Sequence, residues 1–313
     1  MADRLRPNRL YDPRKGGRAL RIESFSWAHQ PIEPARTNYF SIYRIASGSG
    51  TFWADAGRHA FGGHALLFFV PYQHIRFAPD KSVAGDVIQF HANFLCVETF
   101  HAEVGCSGVL FNDPYGAPIV DLEHADQVEV SHLIERIRQE QADCRLAYND
   151  VSLSYLKVLL ILATRLKSAS TNACRPGAAD LRHPVVGQLR DLIEDHHATL
   201  HAPSDYALLL HMTAKTLGRL VREQLGKTLT NLIQERILTH AKWELLHTLK
   251  PVKQVARELG FDDELYFSRL FKKGTGVSPT FFREFETEIR GGSNLSMLSA
   301  PASIHPTSAV ADD

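Results

Sequence analysis

The feature that most constrains this sequence is a layout that occurs twice in its C-terminal third. A short apolar helix is followed by a break and then by an amphipathic helix that ends at glycine. The first copy predicts helices over 204–210 and 214–224, with Thr213 as N-cap and Gly226 as the stop. The second predicts helices over 252–259 and 263–273, with the break at 260–262. One such pair is common in all-α cores, whereas two in tandem favour helix-turn-helix motifs.

In each pair, most of the charged side chains on the outward face of the second helix are basic. Leu217 and Val221 mark the inner face of the first helix, and Phe267 and Phe271 that of the second. The second helix of such a motif lies in a major groove, so we expect double-stranded DNA as a partner. The segment 228–249 predicts one helix of roughly 30 Å, close to the roughly 34 Å between successive major-groove faces.

The segment Val255–Glu284 resembles the C-terminal signature of AraC/XylS-type bacterial transcription regulators. The matching residues are Gly260-Phe261, Phe267-Ser268-Arg269, Phe271-Lys272-Lys273, Gly276, Ser278-Pro279 and Arg283. Residues 210–228 resemble the first unit of that family. The resemblance implies that Lys215 and Arg219 face the groove in the first unit, and that Glu264, Leu265, Ser268 and Arg269 do so in the second. With the helix faces, the predicted DNA-binding residues are Thr213, Lys215, Thr216, Arg219, Arg222, Glu264, Leu265, Ser268, Arg269 and Lys272.

These side chains suit different contacts. An arginine can read guanine and a lysine can hold a phosphate. Glu264 has two interpretations: it accepts from a cytosine amino group, or it is an exposed first-turn acid favoured by the helix dipole. An acid in 262–264 is also expected to cap the second recognition helix.

The N-terminal part has the texture of β-structure. Between Tyr39 and Leu95, short apolar runs alternate with glycine-containing turns, which predicts a small antiparallel barrel or sandwich. From residue 124 the apolar period becomes helical and predicts a hairpin over 124–144 and 149–167. Its apolar stripe packs either on the barrel or on a second subunit. The family resemblance implies a cupin-like barrel that senses a small molecule, since residues 47–77 are similar to it.

The expected fold class is therefore α+β with two domains: a cupin-like antiparallel β-barrel with a helical hairpin, then an all-α tandem helix-turn-helix domain. We expect a basic flexible arm over 1–20 and a cupin-like effector-binding and dimerisation domain over 21–167. A Ser-, Pro- and Gly-containing linker follows over 168–183. The AraC-type DNA-binding domain spans 184–288, and a disordered tail spans 289–313.

Polar or aromatic residues that alternate into the barrel mouth are the candidates for effector binding. These are Arg44, Trp53, His74 and His91. A metal-binding cupin needs about three His and a carboxylate around one ion, and the H-x-H pattern of such sites is missing, so no metal or cofactor is expected. His196, His197 and His201 are expected at the surface. The four cysteines form no C-x-x-C pair and are expected to be free thiols in a reducing cytosol.

Composition limits the function classes only coarsely. The apolar fraction of 44% excludes a mainly disordered chain. Because 35 basic residues balance 35 acidic ones, the net charge does not indicate the kind of partner, and only local clusters of charge can do so. The most apolar stretch, 158–163, is far too short to span a membrane. We therefore predict a cytoplasmic, dimeric transcription regulator of the activator type, with a small-molecule effector, RNA polymerase as a further partner and no enzymatic activity. The alternatives are a cupin-type enzyme with a helical interaction module and an effector-independent DNA-binding regulator.

Overall fold

The computed structural model describes residues 10–97, 100, 109–111, 113–172 and 184–291. Eight strands lie in the N-terminal part of the chain. They are β1 (Leu20–Trp27), β2 (Phe40–Ser47), β3 (Gly50–Ala54), β4 (Gly57–Phe61), β5 (Ala65–Phe69), β6 (Ile75–Pro79), β7 (Val83–Phe90) and β8 (Ile119–Asp121). They form a five-stranded sheet in the order β1-β7-β2-β5-β8 and a three-stranded sheet in the order β4-β3-β6. All strand pairs are antiparallel.

The two sheets pack face to face, and the strand pairings described do not close them into a barrel. Of the barrel and the sandwich that the sequence allows, the structure shows the open, sandwich-like form. Tyr43, Leu67 and Phe69 of the larger sheet pack on Phe52 and Phe77 of the smaller one. No strand pairing described in the structure joins the edges of the two sheets. The antiparallel β-domain itself is confirmed, as an open two-sheet arrangement.

A helical hairpin covers the other face of the five-stranded sheet. It consists of α1 (His124–Asp143) and α2 (Tyr148–Asn172). Its inner stripe includes Ile134, Ile137 and Leu160, which pack on Leu66 and Phe68. Because the sheet is buried on both faces, β5 is apolar at every position, as strands sandwiched between layers are. Of the two positions expected for the hairpin stripe, the structure shows the one against the β-domain.

Two segments differ from the expected boundaries. Helix α2 continues to Asn172, five residues into the expected linker 168–183, and 173–183 lie outside the described residues. In the expected flexible arm, Tyr11 is buried and its N–H donates to Asn38 Oδ1 at 2.7 Å. Asp12 caps a short turn over Pro13–Lys15. This part of the arm is held by packing, and residues 1–9 lie outside the described part.

The described residues from 184 to 291 form helices joined by short turns. The helices are α3 (Pro184–His196), α4 (Pro203–Leu209), α5 (Ala214–Leu225), α6 (Leu229–His247), α7 (Val252–Glu258), α8 (Glu264–Thr275) and α9 (Pro279–Ile289). Val221 of α5 and Phe271 of α8 belong to one core with Ile233, Ile237 and Ala241 of α6. The tandem α4–α5 and α7–α8 units confirm the predicted layout. The expected tail from 289 lies outside the described residues beyond Gly291.

One small expectation about this domain is wrong. His197 is buried, not at the surface, because α3 turns that side chain onto α6. Its Nε2 lies 2.8 Å from Nδ1 of His240, and its Nδ1 lies 3.0 Å from the carbonyl oxygen of Ile193. Burial is the largest of the causes that lower the pKa of His197. Because both ring nitrogens have hydrogen-bond partners, this buried imidazole is part of the domain's packing.

Candidate nucleic-acid interface

Helix α5 presents an exposed basic face that is fixed at both ends. Thr213 Oγ1 accepts a hydrogen bond from the N–H of Thr216 at 3.1 Å, which satisfies a free donor of the first turn. Gly226 ends the helix at φ +67°, a conformation that favours glycine. Between these caps, Leu217 and Val221 are buried. The predicted contact residues Lys215, Thr216, Arg219 and Arg222 are all exposed.

Helix α8 repeats this construction 50 residues further on. Asp263 Oδ1 accepts from the N–H of Leu265 at 2.7 Å, and Gly276 ends the helix at φ +85°. Phe267 and Phe271 occupy the inner positions of Leu217 and Val221. The exposed predicted residues are Leu265, Arg269 and Lys272, while Glu264 and Ser268 are partly exposed. The structure therefore brings the ten predicted DNA-contact residues onto two equivalent helices.

The two arginines at equivalent positions are only loosely held. Arg219 lies 3.7 Å from a carboxylate oxygen of Glu223, and Arg269 lies 3.7 Å from one of Asp263. All four side chains are more than half exposed. Exposed pairs at this distance contribute little to stability, so either guanidinium can move to a stronger acceptor. A phosphate or the O6 and N7 atoms of guanine are acceptors of that kind.

Helix α6 connects the two units. Its 19 residues give a length of about 28 Å. Thr228 caps its N-terminus, directly after the glycine that ends α5. The whole α6 helix packs in the common core, so the two recognition helices are held by one rigid element.

The four residues predicted to bind an effector do not come together. Arg44 forms an ion pair with Asp86 at 3.0 Å, on the hairpin side of the large sheet. Trp53 lies on the outer face of the small sheet, where the guanidinium carbon of Arg76 is 3.9 Å from its ring centroid. The space between the sheets is filled by side chains that include Phe52, Phe69 and Phe77.

The two histidines of that set lie towards the helical domain. His74 Nε2 is 2.5 Å from a carboxylate oxygen of Glu33. His91 is fully buried, with Nε2 3.3 Å from Oε2 of Glu286 on α9. Only His74 of the four lines a cavity between the two parts of the chain.

That cavity, of about 890 Å³, lies between the β-layers and the helical domain. Apolar residues from both parts line it, among them Phe40, Phe68, Val70, Leu238, Leu246 and Leu270. Its polar lining includes Arg36, Asp55, His59, His74, Lys242 and Glu286. Burial, followed by the charges of Lys227 and Lys167, lowers the pKa of His59 to about 4, so this imidazole is neutral near pH 7. The size of the cavity and its mixed polar and apolar lining suit a small organic molecule.

A buried carboxylate joins the two parts of the chain, and sequence analysis did not single it out. Glu286 is 1% exposed. It accepts from the hydroxyl of Tyr72 at 2.5 Å and from the amide of Asn38 at 3.2 Å. Burial alone would raise the pKa of Glu286, but His91, Arg290 and Tyr72 together lower it below its ordinary value. The sequence did carry a signal for its burial. Glu286 lies four residues after Phe282 and three before Ile289, which places it on the inner face of α9.

The described residues show neither a metal-binding cluster nor a membrane-spanning helix. In residues 10–97, 100, 109–111, 113–172 and 184–291, no three His, Cys, Asp or Glu side chains converge as metal ligands would. None of the helices described is both long enough and apolar enough to cross a lipid bilayer.

The comparisons with known proteins cover the helical domain and, for some relatives, a larger part of the chain. A family model described as a helix-turn-helix domain matches residues 206–284. The arabinose operon regulatory protein of Salmonella typhimurium is 38% identical over 107 residues, which are 33% of this chain and 38% of that protein. Its Escherichia coli counterpart is 43% identical over 107 residues, 33% of this chain and 37% of that protein. The helical domain is an AraC-type helix-turn-helix domain.

The similarity to these two relatives covers 33% of this chain. The chain matches less than two fifths of the length of either arabinose regulator. Among solved structures, the C-terminal domain of AraT from Geobacillus stearothermophilus is 30% identical. That match covers 33% of this chain and 87% of the AraT domain, with a TM-score of 0.32.

Proposed function

We propose that this protein is a sequence-specific DNA-binding transcription regulator. The observation that carries the proposal is the pair of capped helices α5 and α8, whose exposed faces repeat at a spacing of 50 residues. Each presents an arginine that is held only by a long, exposed ion pair. The relatives of the AraC-type domain are named as regulators of the arabinose operon.

In this proposal the two recognition helices enter neighbouring major grooves. Helix α6, which connects them, is about 28 Å long, comparable with the roughly 34 Å of one turn of B-DNA. Arg219 and Arg269 read base edges, while Lys215, Arg222 and Lys272 hold phosphates. Thr213, Thr216, Glu264, Leu265 and Ser268 complete the two reading surfaces.

The finer parts of the function are proposals of the same kind. A small-molecule effector would bind in the cavity between the two parts of the chain and change how they are held together. The protein would act in the cytoplasm as a homodimer and by binding, not by catalysis, with RNA polymerase as a further partner. Of the predicted effector-binding residues Arg44, Trp53, His74 and His91, the proposal keeps only His74, because this residue lines the cavity.

The test is selection of DNA from a randomised duplex library by the full chain, followed by fluorescence anisotropy on the recovered duplex. We expect saturable binding that weakens as salt rises. Arg219→Ala and Arg269→Ala should each weaken binding about 5- to 100-fold and relax sequence preference at different positions of the site. Lys272→Ala should weaken binding to all sequences alike and reduce the salt dependence.

Arg190→Ala is the matched control, because Arg190 is an exposed arginine of the same domain on α3, paired with Asp191. It should bind like the wild type. Equal, weak binding of the wild type to every duplex, unchanged in the Arg219 and Arg269 variants, would contradict the proposal.

A further inference from the structure

A row of cationic and aromatic side chains crosses the outer face of the small sheet. Trp53 on β3 lies opposite Arg58 on β4 and Arg76 on β6 in the strand register. The guanidinium carbons of Arg76 and Arg58 are 3.9 Å and 5.8 Å from the Trp53 ring centroid. Their neighbours Phe52 and Phe77 point inward, so all three side chains of this Arg58–Trp53–Arg76 row point outward.

The row begins directly beside the first recognition helix. The backbone at Gly226, which ends α5, approaches so closely that a Cβ there would be 2.8 Å from the carbonyl oxygen of Arg58. Arg58 and Arg222 line one shallow cleft of about 380 Å³ at this contact. The basic surface of α5 therefore continues onto the β-domain without a gap.

The arginines of this surface have no acidic partner within the described residues. No carboxylate there lies within 4.0 Å of Arg58, Arg76 or Arg222, whereas Lys227, in the same cleft, is paired with Glu235 at 2.7 Å. Glu33 is near enough for the charge of Arg76 to act on it, but its carboxylate is bonded to His74. The three guanidinium groups are exposed and are not neutralised by an ion pair within the described residues, and those of Arg58 and Arg76 lie over the Trp53 ring.

We propose that the Arg58–Trp53–Arg76 row binds the sugar-phosphate backbone of DNA just outside the segment read by α5. A guanidinium is planar and offers paired donors that match a phosphate, and stacking on Trp53 fixes its orientation in advance. Strands lie about 4.8 Å apart, so the row spans roughly 10 Å, enough for one or two phosphates. The β-domain then lengthens the DNA site. This inference rests on the proposed DNA binding.

The test compares the full chain with an Arg58→Ala/Arg76→Ala variant by fluorescence anisotropy across a salt series. The probes are the selected duplex with about ten flanking base pairs on each side and a duplex of unrelated sequence at low salt. We expect binding to the long selected duplex to fall about 5- to 30-fold, and the slope of log K against log salt to become less steep by about 1 to 2. On a selected duplex cut back to the segment read by α5 and α8, wild type and variant should bind alike.

The control is Lys81→Ala/Arg145→Ala, which removes two exposed positive charges elsewhere on the N-terminal part. It should keep the wild-type affinity and salt slope. Thermal unfolding of each variant checks that the fold is intact, as substitutions at exposed positions lead us to expect.

The outcomes separate this inference from the proposed function. If the row variant keeps the wild-type salt slope while Arg219→Ala loses affinity, the row does not bind DNA and the inference is overturned. If the wild type binds no duplex saturably, the proposed function falls and the inference falls with it. An equal loss in the row variant and in the Lys81/Arg145 control would also overturn it, because the effect would then be one of net charge.

Discussion

At the scale of single residues, Glu286 connects the two parts of the chain. It lies on the last helix of the AraC-type domain, yet Tyr72, Asn38 and His91 of the β-domain all approach its carboxylate. Its remaining neighbour, Arg290, is 3.3 Å away on the next turn. A buried carboxylate with this many partners is stabilising only while they stay in place, so it ties the two parts to one relative position.

Replacing Glu286 by Gln should lower the free energy of unfolding by about 2 kcal/mol at pH 7, because charged hydrogen bonds are lost in a buried site. The pKa of Glu286 is lowered in the folded protein from its ordinary value of 4.5. The stabilisation is therefore fully present above about pH 4.5 and is lost as the pH falls through the lowered folded value. Urea unfolding at pH 7 and from pH 5 to 3 measures this.

Glu288→Gln is the control for that prediction, since Glu288 is on the same helix but 61% exposed and paired with Arg14. It should unfold nearly like the wild type. A Glu288 variant that loses as much as the Glu286 variant, or a Glu286 variant whose deficit persists unchanged at pH 3, would contradict the role given to the buried carboxylate.

At the scale of elements, the end of α5 depends on its glycine. Gly226→Ala should destabilise the protein by about 1–2 kcal/mol, because φ is +67° and the new Cβ would meet the backbone of Arg58. Gly218→Ala, inside the same helix with open space around it, should stabilise by up to about 1 kcal/mol. Thermal unfolding of both variants makes the comparison, and the same sign of change in both would refute the argument.

The helices of the AraC-type domain could be predicted closely because their limits depend on neighbouring residues. Thr213 as cap and Gly226 as stop fixed α5 to within a residue of its observed end at Leu225. The same local reasoning located the β-structure between Tyr39 and Leu95, but it missed β1 and β8, which lie outside that range. What the sequence could not tell was whether the sheet closes, because closure depends on pairings between distant strands that no local pattern records. The same limit hid the cross-strand row of Arg58, Trp53 and Arg76.

At the scale of the whole molecule, the two parts share one interface with the large cavity inside it. Tyr115 donates to Glu194 at 2.9 Å, and Lys227 donates to the carbonyl oxygen of Pro114 at 2.9 Å. Contacts from the β-domain thus reach α3, the turn between α5 and α6, and α9 of the helical domain. A ligand in the cavity touches both parts at once, which is the arrangement needed for binding to shift their relative position.

The location of the effector site can be tested with two residues that were expected to share a pocket. In a thermal-shift screen of small metabolites, a compound that stabilises the wild type should bind His74→Ala about tenfold more weakly, because His74 lines the cavity. Trp53→Ala should respond like the wild type, since Trp53 lies on the outer face of the small sheet. Loss of response in the Trp53 variant alone would locate the site elsewhere.

Helices α5 and α8 repeat the same construction, but their exposed faces differ. The two helices share the terminal glycine and the arginine, but Lys215 on one corresponds to Leu265 on the other, and Ala214 to Glu264. A single chain therefore offers two unlike reading surfaces in a fixed order. In the proposed mode of DNA binding, one copy of the chain distinguishes the two directions along a duplex, because its two helices contact unlike sequences in a fixed order.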